Sequence, residues 1–274
     1  MKTILTSLLL LGAGSLYAQT TGGISAENLG QLRRSYNNEA STRALHNAIA
    51  STDINTLARS AHARLGVDAE VSHRVPSKGI TNQKSSGRCW LFTGLNVLRA
   101  QAMKNHDLPL LELSQNYNFF YDQLEKANLF LQGIIDRVDL PLDDRMVDWL
   151  FMNPVSDGGQ FTGLADNVSK YGVVPREAMP ETYSSENTSR LRQLLSTKLR
   201  RDGMELRRMA AGGAKAKALE ARKQQMLADV YRMLALTLGE PPAEFVWKRK
   251  DSKGNTVDSR KYTPQEFYAE YFGN

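Results

Sequence analysis

Apolar residues recur at three- and four-residue steps from position 89 onward, at Trp90, Leu91, Leu95, Leu98 and Met103. That is the period of an amphipathic helix, and it sets Cys89 at or just before a helix N-terminus. LELSQNYNFFYDQLEKANLFLQGII continues the helical signal, with Ser114 as its N-cap and a core-type face through Tyr117, Phe120, Tyr121 and Leu124. NPVSDGGQF, residues 153–161, reads as a turn-rich loop leading into a short helix, GLADNVSKYG, that Gly172 closes. Pro175 and Pro180 then interrupt the chain. Strong helix formers from Ser189 to about Leu238, broken by AGG at 211–213, predict two helices in an excursion from the main body. FVWKRKDSKGNTVDSRKY predicts a β-hairpin turning at Ser252 to Asn255, and PQEFYAEYFGN a further helix. Upstream, Ala26 to Ala63 is helical with uneven apolar spacing, and VSHRVPSKGITNQKSSG reads as extended chain and loop. No internal repeat is present.

The first residues change the compartment. MKTILTSLLLLGAGSLYAQ carries an early lysine, an apolar run from Ile4 to Leu11 and small residues ending at Ala18, the layout of a secretory signal peptide. We expect cleavage after Ala18, export to a periplasmic or secreted location, and a domain over residues 19–274. The run is shorter than the roughly 20 residues a span requires, so no membrane span is expected after cleavage. With 41% hydrophobic side chains the 274-residue chain can bury a sizeable core. Its one cysteine cannot close an intramolecular disulfide, which leaves an odd thiol, either packed as a small hydrophobe or reactive. The net charge of +6 is concentrated in residues 186–225, where eleven Lys and Arg face four acids. No aromatic residue is interleaved there to stack bases, so nucleic acid is not an expected partner.

Cys89 lies within QKSSGRCWLF. An acylation site needs a thiolate, a base to share its proton, and donors aimed at the developing oxyanion. A helix N-terminus supplies positive potential and free N–H groups. Gln83, six residues upstream across a Ser-Ser-Gly-Arg turn, can fold back as a second donor. Trp90 and Phe92 are placed to cover the helix against the core. The four histidines, His46, His62, His73 and His106, show no HxxxH or HxH spacing, so neither a metal nor another cofactor is expected. Only His106 follows Cys89, and its position is about 25 Å away along a helical path.

QKSSGRCWLF resembles the nucleophile segment of papain-like cysteine peptidases, in particular the bleomycin hydrolase and aminopeptidase C branch, which reads S-G-R-C-W. ITNQ before it, DGGQF at 157–161, and YGVVP with the following MPETYSSEN are similar to the same branch in the same order, from about Leu32 onward. The resemblance implies an α+β, papain-like fold, here mainly the helical half with an inserted basic helical subdomain at about 186–240 and an incomplete β half. It implies Cys89 as nucleophile, Gln83 as oxyanion-hole amide, and Gly158 and Gly159 as the backbone that pairs with an extended peptide, with Trp90 among the substrate-binding residues. The implied activity is peptide hydrolysis through a Cys89 acyl-enzyme by an aminopeptidase that assembles as a homo-oligomer. A cysteine endopeptidase is the near alternative, and a non-catalytic binding protein using the basic helices is the alternative from another class. The histidine and asparagine of such enzymes lie about 130 to 150 residues beyond the cysteine, and the insertion carries them further. The expectation is therefore an N-terminal part of a longer peptidase, inactive alone. Export departs from the cytosolic habit of the branch.

Overall fold

The upstream stretch with uneven apolar spacing is not one helix but three. In the computed structural model, residues 22–273 are described apart from 61, 65–67, 69, 74, 76–78 and 252, so the signal peptide expected over residues 1–18 lies outside the described residues. The chain divides into two compact units, residues 1–72 and 73–274. In the first, α1 (Ala26–Ser35) is capped by the Ser25 side chain, which accepts from the Asn28 N–H at 3.1 Å, and carries Arg33 and Arg34 in its last turn. Extended backbone at Tyr36 and Thr52 separates it from α2 (Ala40–Ser51) and α3 (Ile54–Leu57), the last capped by Asp53. A 3₁₀ turn follows at His62–Arg64. None of the three helices buries a residue.

The second unit is built around α5 (Gln115–Ile135), whose Ser114 cap accepts from the Tyr117 N–H at 3.0 Å. Phe120, Leu131 and Ile134 on this helix are fully buried. Packed around it are α4 (Cys89–Asn105), α6 (Arg145–Met152), α7 (Phe161–Tyr171), α9 (Thr188–Ala211) and α10 (Ala216–Leu238), with a single turn, α8 (Tyr183–Glu186), before α9. The element α6 has no counterpart in the sequence reading; Asp144 opens it, its carboxylate accepting from the N–H groups of Met146 and Val147 at 2.9 and 3.1 Å.

The basic helices are not an excursion. Leu191, Leu195, Leu199 and Leu206 of α9 and Met226, Val230, Leu234 and Leu238 of α10 recur at helical spacing among the charges and belong to the same core as α5. Gly203 brings α9 close: a Cβ there would lie 3.1 Å from the rings of Phe130 and Phe151. The end of α10 returns to the start of α5, where Asn116 Nδ2 donates to the Leu238 carbonyl at 2.6 Å. Much of the positive charge serves this packing. Arg200 donates to the carbonyls of Phe151 and Met152 at the end of α6, and Arg207 to those of Arg137 and Leu140 beyond α5. Lys198 pairs with Asp202, and Arg222 with Glu205.

The sheet content of the described residues is one antiparallel hairpin, β1 (Phe245–Lys250) with β2 (Thr256–Tyr262), in the register Phe245 opposite Tyr262. Asp251 shapes the turn by accepting from the N–H groups of Lys253 and Asn255; Ser252, read as a turn residue, lies outside the described residues. The buried face of β1 joins α11 (Pro264–Phe272) in an aromatic cluster of Phe245, Trp247, Tyr262, Phe267 and Tyr271. Predominant helix with a small sheet is an α+β arrangement. No helix among the described residues is long and apolar enough to cross a membrane.

Candidate active site

Cys89 is the first residue of α4, and its side chain is exposed. The segment leading to it is fastened residue by residue. Asn82 Oδ1 accepts from the Lys84 N–H at 2.8 Å and supports Lys84 in the left-handed region, at φ +55°. Gln83 Nε2 donates to the Ser86 carbonyl at 2.5 Å while Ser86 Oγ donates to the Gln83 carbonyl at 2.6 Å, so the amide folds back over its own turn. One of its two N–H donors remains available. Ser85 forms a parallel bridge to Asn187, with its N–H donating to the Glu186 carbonyl at 3.0 Å. The start of α9 thereby pins the turn that leads to Cys89.

Arg88, the residue before the cysteine, is fully buried. Its Nη1 donates to Glu181 Oε1 at 3.1 Å and its Nε to Ser86 Oγ at 3.0 Å. Its Nη2 lies 2.8 Å from Glu181 Oε2 but off the hydrogen-bond axis, so that contact is ionic rather than directional. The guanidinium also sits 5.0 Å from the Phe92 ring centre and 5.3 Å from that of Phe119. As the Arg88 carbonyl accepts from the N–H groups of Leu91 and Phe92, the first turn of α4 starts from this fixed residue. The N–H of Cys89 itself has no partner among the described residues, as at any helix start.

The 153–160 loop lies alongside. Trp90 Nε1 donates to the Asp157 carbonyl at 3.0 Å, and the Gly87 N–H donates to Asp157 Oδ2 at 2.8 Å. Burial pushes the Asp157 carboxyl up, but the hydrogen bonds from Thr188 and Gly87 outweigh it and hold the group below the usual carboxylate range. Lys126 on α5 donates to the carbonyls of Ser156 and Gly158 at 2.9 and 2.6 Å, and to Asp122 at 2.7 Å. Gln123 Nε2 adds a second donor to the Ser156 carbonyl, at 2.9 Å. Three successive carbonyls, 156 to 158, therefore face protein donors. The N–H and carbonyl of Gly159 have no partner among the described residues.

The structure thus brings together Gln83 on the turn before α4, Cys89 and Trp90 at the start of α4, and Gly158 and Gly159 on the adjoining loop. It also distinguishes the two glycines. A Cβ on Gly158 would meet nothing closer than 3.6 Å, whereas one on Gly159 would lie 2.6 Å from the Trp90 ring. The requirement for glycine at 159 comes first from the protein's own tryptophan. His106 is not brought to the site: it caps the far end of α4 with its ring 4.8 Å from that of Tyr271. Sequence reasoning missed Arg88, Glu181, Asp157, Lys126 and Thr188 as parts of the site. Arg88, Asp157 and Glu181 stood inside the quoted motifs, but the contacts that join Arg88 to Glu181 and Asp157 to Gly87 and Thr188 span 31 to 93 residues of chain.

The profile of the Peptidase C1-like family matches residues 23–274. Aminopeptidase C of Lactobacillus delbrueckii subsp. lactis is 40% identical over 227 residues, which are 83% of this chain and 51% of that protein. Bleomycin hydrolase of Homo sapiens is 40% identical over 203 residues, 73% of this chain and 45% of that protein. The fold is similar to that of PepW from Lactobacillus rhamnosis HN001, with a TM-score of 0.83 and 38% identity over 92% of this chain and 57% of the other. The chain spans about half the length of the curated relatives it matches.

Proposed function

The chain belongs to the Peptidase C1-like family, and from that premise we propose that it carries the nucleophile and part of the substrate cleft of a cysteine aminopeptidase. The observation that carries the reading is an exposed thiol on the first residue of a helix, beside a glycine segment whose backbone N–H and carbonyl at Gly159 have no partner among the described residues. In the proposed reaction the Cys89 thiolate attacks the scissile carbonyl carbon. The oxyanion is met by the Cys89 N–H and the Gln83 amide, collapse expels the amine as an imidazole returns to it the proton taken from the thiol, and water then hydrolyses the thioester. A peptide extended along Gly158 and Gly159 would find its backbone partners at Gly159, because the Gly158 carbonyl is held by Lys126. The matched relatives are about twice as long as the region they share with this chain, and the proposal assigns the imidazole and its orienting amide to the part that residues 1–274 do not span. Aminopeptidase rather than endopeptidase action is supported by the names of the relatives.

The test is modification by a peptidyl vinyl sulfone or epoxide, followed by peptide mapping. The expected adduct is on Cys89 and is lost in Cys89→Ala; an adduct elsewhere, or none, counts against the reading. Hydrolysis of amino-acid amides but not of N-blocked peptides would establish the aminopeptidase, and the reverse the endopeptidase. The proposal includes export, supported by the leader-like first 18 residues; N-terminal sequencing of the exported protein should begin at Gln19. A homo-oligomer belongs to the same proposal, and sedimentation measures it. The binding-protein alternative loses support because Arg200, Arg207 and Arg222, three of its basic side chains, are occupied in intramolecular contacts.

A further inference from the structure

We propose that Asp157 is a positioning residue of the Cys89 site, a single carboxylate that fixes the separation between the nucleophile turn and the loop backbone at Gly158 and Gly159. The inference rests on the reading of Cys89 as nucleophile and gives a task to a residue that reading leaves idle. Oδ2 of Asp157 accepts from the Gly87 N–H at 2.8 Å, two residues before the cysteine, and its carbonyl accepts from Trp90 Nε1 at 3.0 Å, one residue after it. The chain on both sides of the nucleophile is therefore bonded to one residue, and the next two residues of that loop are the glycine pair. A third contact fixes the staple to the body of the unit: Thr188 Oγ1, at the first residue of α9, donates to the same Oδ2 at 2.5 Å. The turn closes on the carboxyl with no space to spare, since a Cβ on Gly87 would lie 2.6 Å from Asp157 Cγ.

Both donors to Oδ2 are groups that do not titrate in the physiological range, so the carboxylate is committed as an acceptor and has no proton to exchange with the thiol. Its contribution is geometric. Hydrogen bonds to an ionised acceptor are stronger than neutral ones, and a misplacement of about 1 Å at a reacting centre costs on the order of 10²-fold. A short reagent that does not pair with the loop backbone should feel such a displacement far less than a peptide bound along it.

The experiment compares the protein with its Asp157→Ala, Asp157→Asn and Thr188→Val variants. For each, the second-order rate of Cys89 modification is measured with a peptidyl epoxide and with iodoacetamide, at a temperature where thermal melting shows the variant folded. The expected result for Asp157→Ala is a loss of ~10- to 100-fold in the ratio of peptidyl to iodoacetamide rate. Asp157→Asn, which keeps an oxygen acceptor for Gly87, should recover most of that ratio, and Thr188→Val should lower it less than Asp157→Ala. A ratio in folded Asp157→Ala within about twofold of the parent, far below what displacement predicts, overturns the proposal. Where Asp157→Ala does not fold, Thr188→Val decides, and an unchanged ratio there overturns it equally. Failure of the unsubstituted protein to react with the peptidyl epoxide at all overturns the nucleophile reading itself, which separates the two failures.

Discussion

At the residue scale the unusual feature is Arg88. A fully buried guanidinium directly before the reactive residue is tolerated only because Glu181 neutralises it and Phe92 and Phe119 receive its faces. Removing one partner leaves the other charge buried and alone, so Arg88→Met should lower the unfolding free energy by about 3–5 kcal/mol. The double variant Arg88→Met, Glu181→Leu should recover a large part, and urea unfolding of the pair measures it. Asp157 makes a second prediction at this scale. Its carboxyl is held low in the folded protein, so between the ordinary aspartate value, about 3.9, and the lower folded one the unfolded chain binds the extra proton. The stabilisation is complete above the unfolded value and is lost as pH falls through the folded value. Stability profiles of the parent and Asp157→Ala should run further apart at pH 6 than at pH 2.5; parallel profiles would contradict the assignment. Of these residues Cys89 and Gln83 drew attention in the sequence because they share one short segment, and the glycine pair was named through the family resemblance of DGGQF. Glu181 and Thr188 were not, because nothing local marks a residue that meets its partner only after the fold closes.

At the element scale, α4 is held in place by close approach. A Cβ on Gly94 would lie 1.9 Å from Leu164 Cδ2, and Leu164 is buried at 1% exposure. The helix that carries Cys89 therefore seats directly against α7, the helix that follows the glycine pair. Gly94→Ala should cost about 1–3 kcal/mol by overpacking, and Leu164→Ala added to it should recover part of the loss in thermal melts. Elements with strong local markers were read correctly: α5 from Ser114 and its aromatic face, α7 from Gly172, and the hairpin from its charged turn. The upstream helices were merged because the extended residues Tyr36 and Thr52 carry no glycine or proline to announce a break. The helix α6 went unread although Asp144 is a good N-cap, because its eight residues are few for a periodicity reading and Met146, Trp149 and Met152 stay exposed.

At the scale of the molecule, the positive charge that suggested an anionic partner is in large part internal wiring. Arginines of α9 hold the carbonyl ends of α5 and α6, and the helices read as an excursion complete the core. Retention on a heparin or DNA column should accordingly fall away at low salt, without the steep dependence of a protein that neutralises many phosphates. The same scale decides the activity of residues 19–274. An amide leaving group needs a proton donor, and general acid–base assistance is worth ~10²- to 10⁴-fold. The one histidine beyond Cys89 is at the opposite end of α4. This chain alone should hydrolyse amino-acid amides slowly, and robust amide turnover that Cys89→Ala abolishes would reveal a base in the chain itself.

The most direct test of the central claim removes that dependence on a proton donor. An aminoacyl p-nitrophenyl ester has a leaving group that departs as an anion, so acylation of the thiol can proceed without an imidazole. Mixing the protein with excess ester, quenching in acid and weighing the intact chain should give one acyl group per molecule. Fragmentation should place it on Cys89, and Cys89→Ala should show none. An unmodified parent protein, or an acyl group retained by Cys89→Ala, would contradict the account.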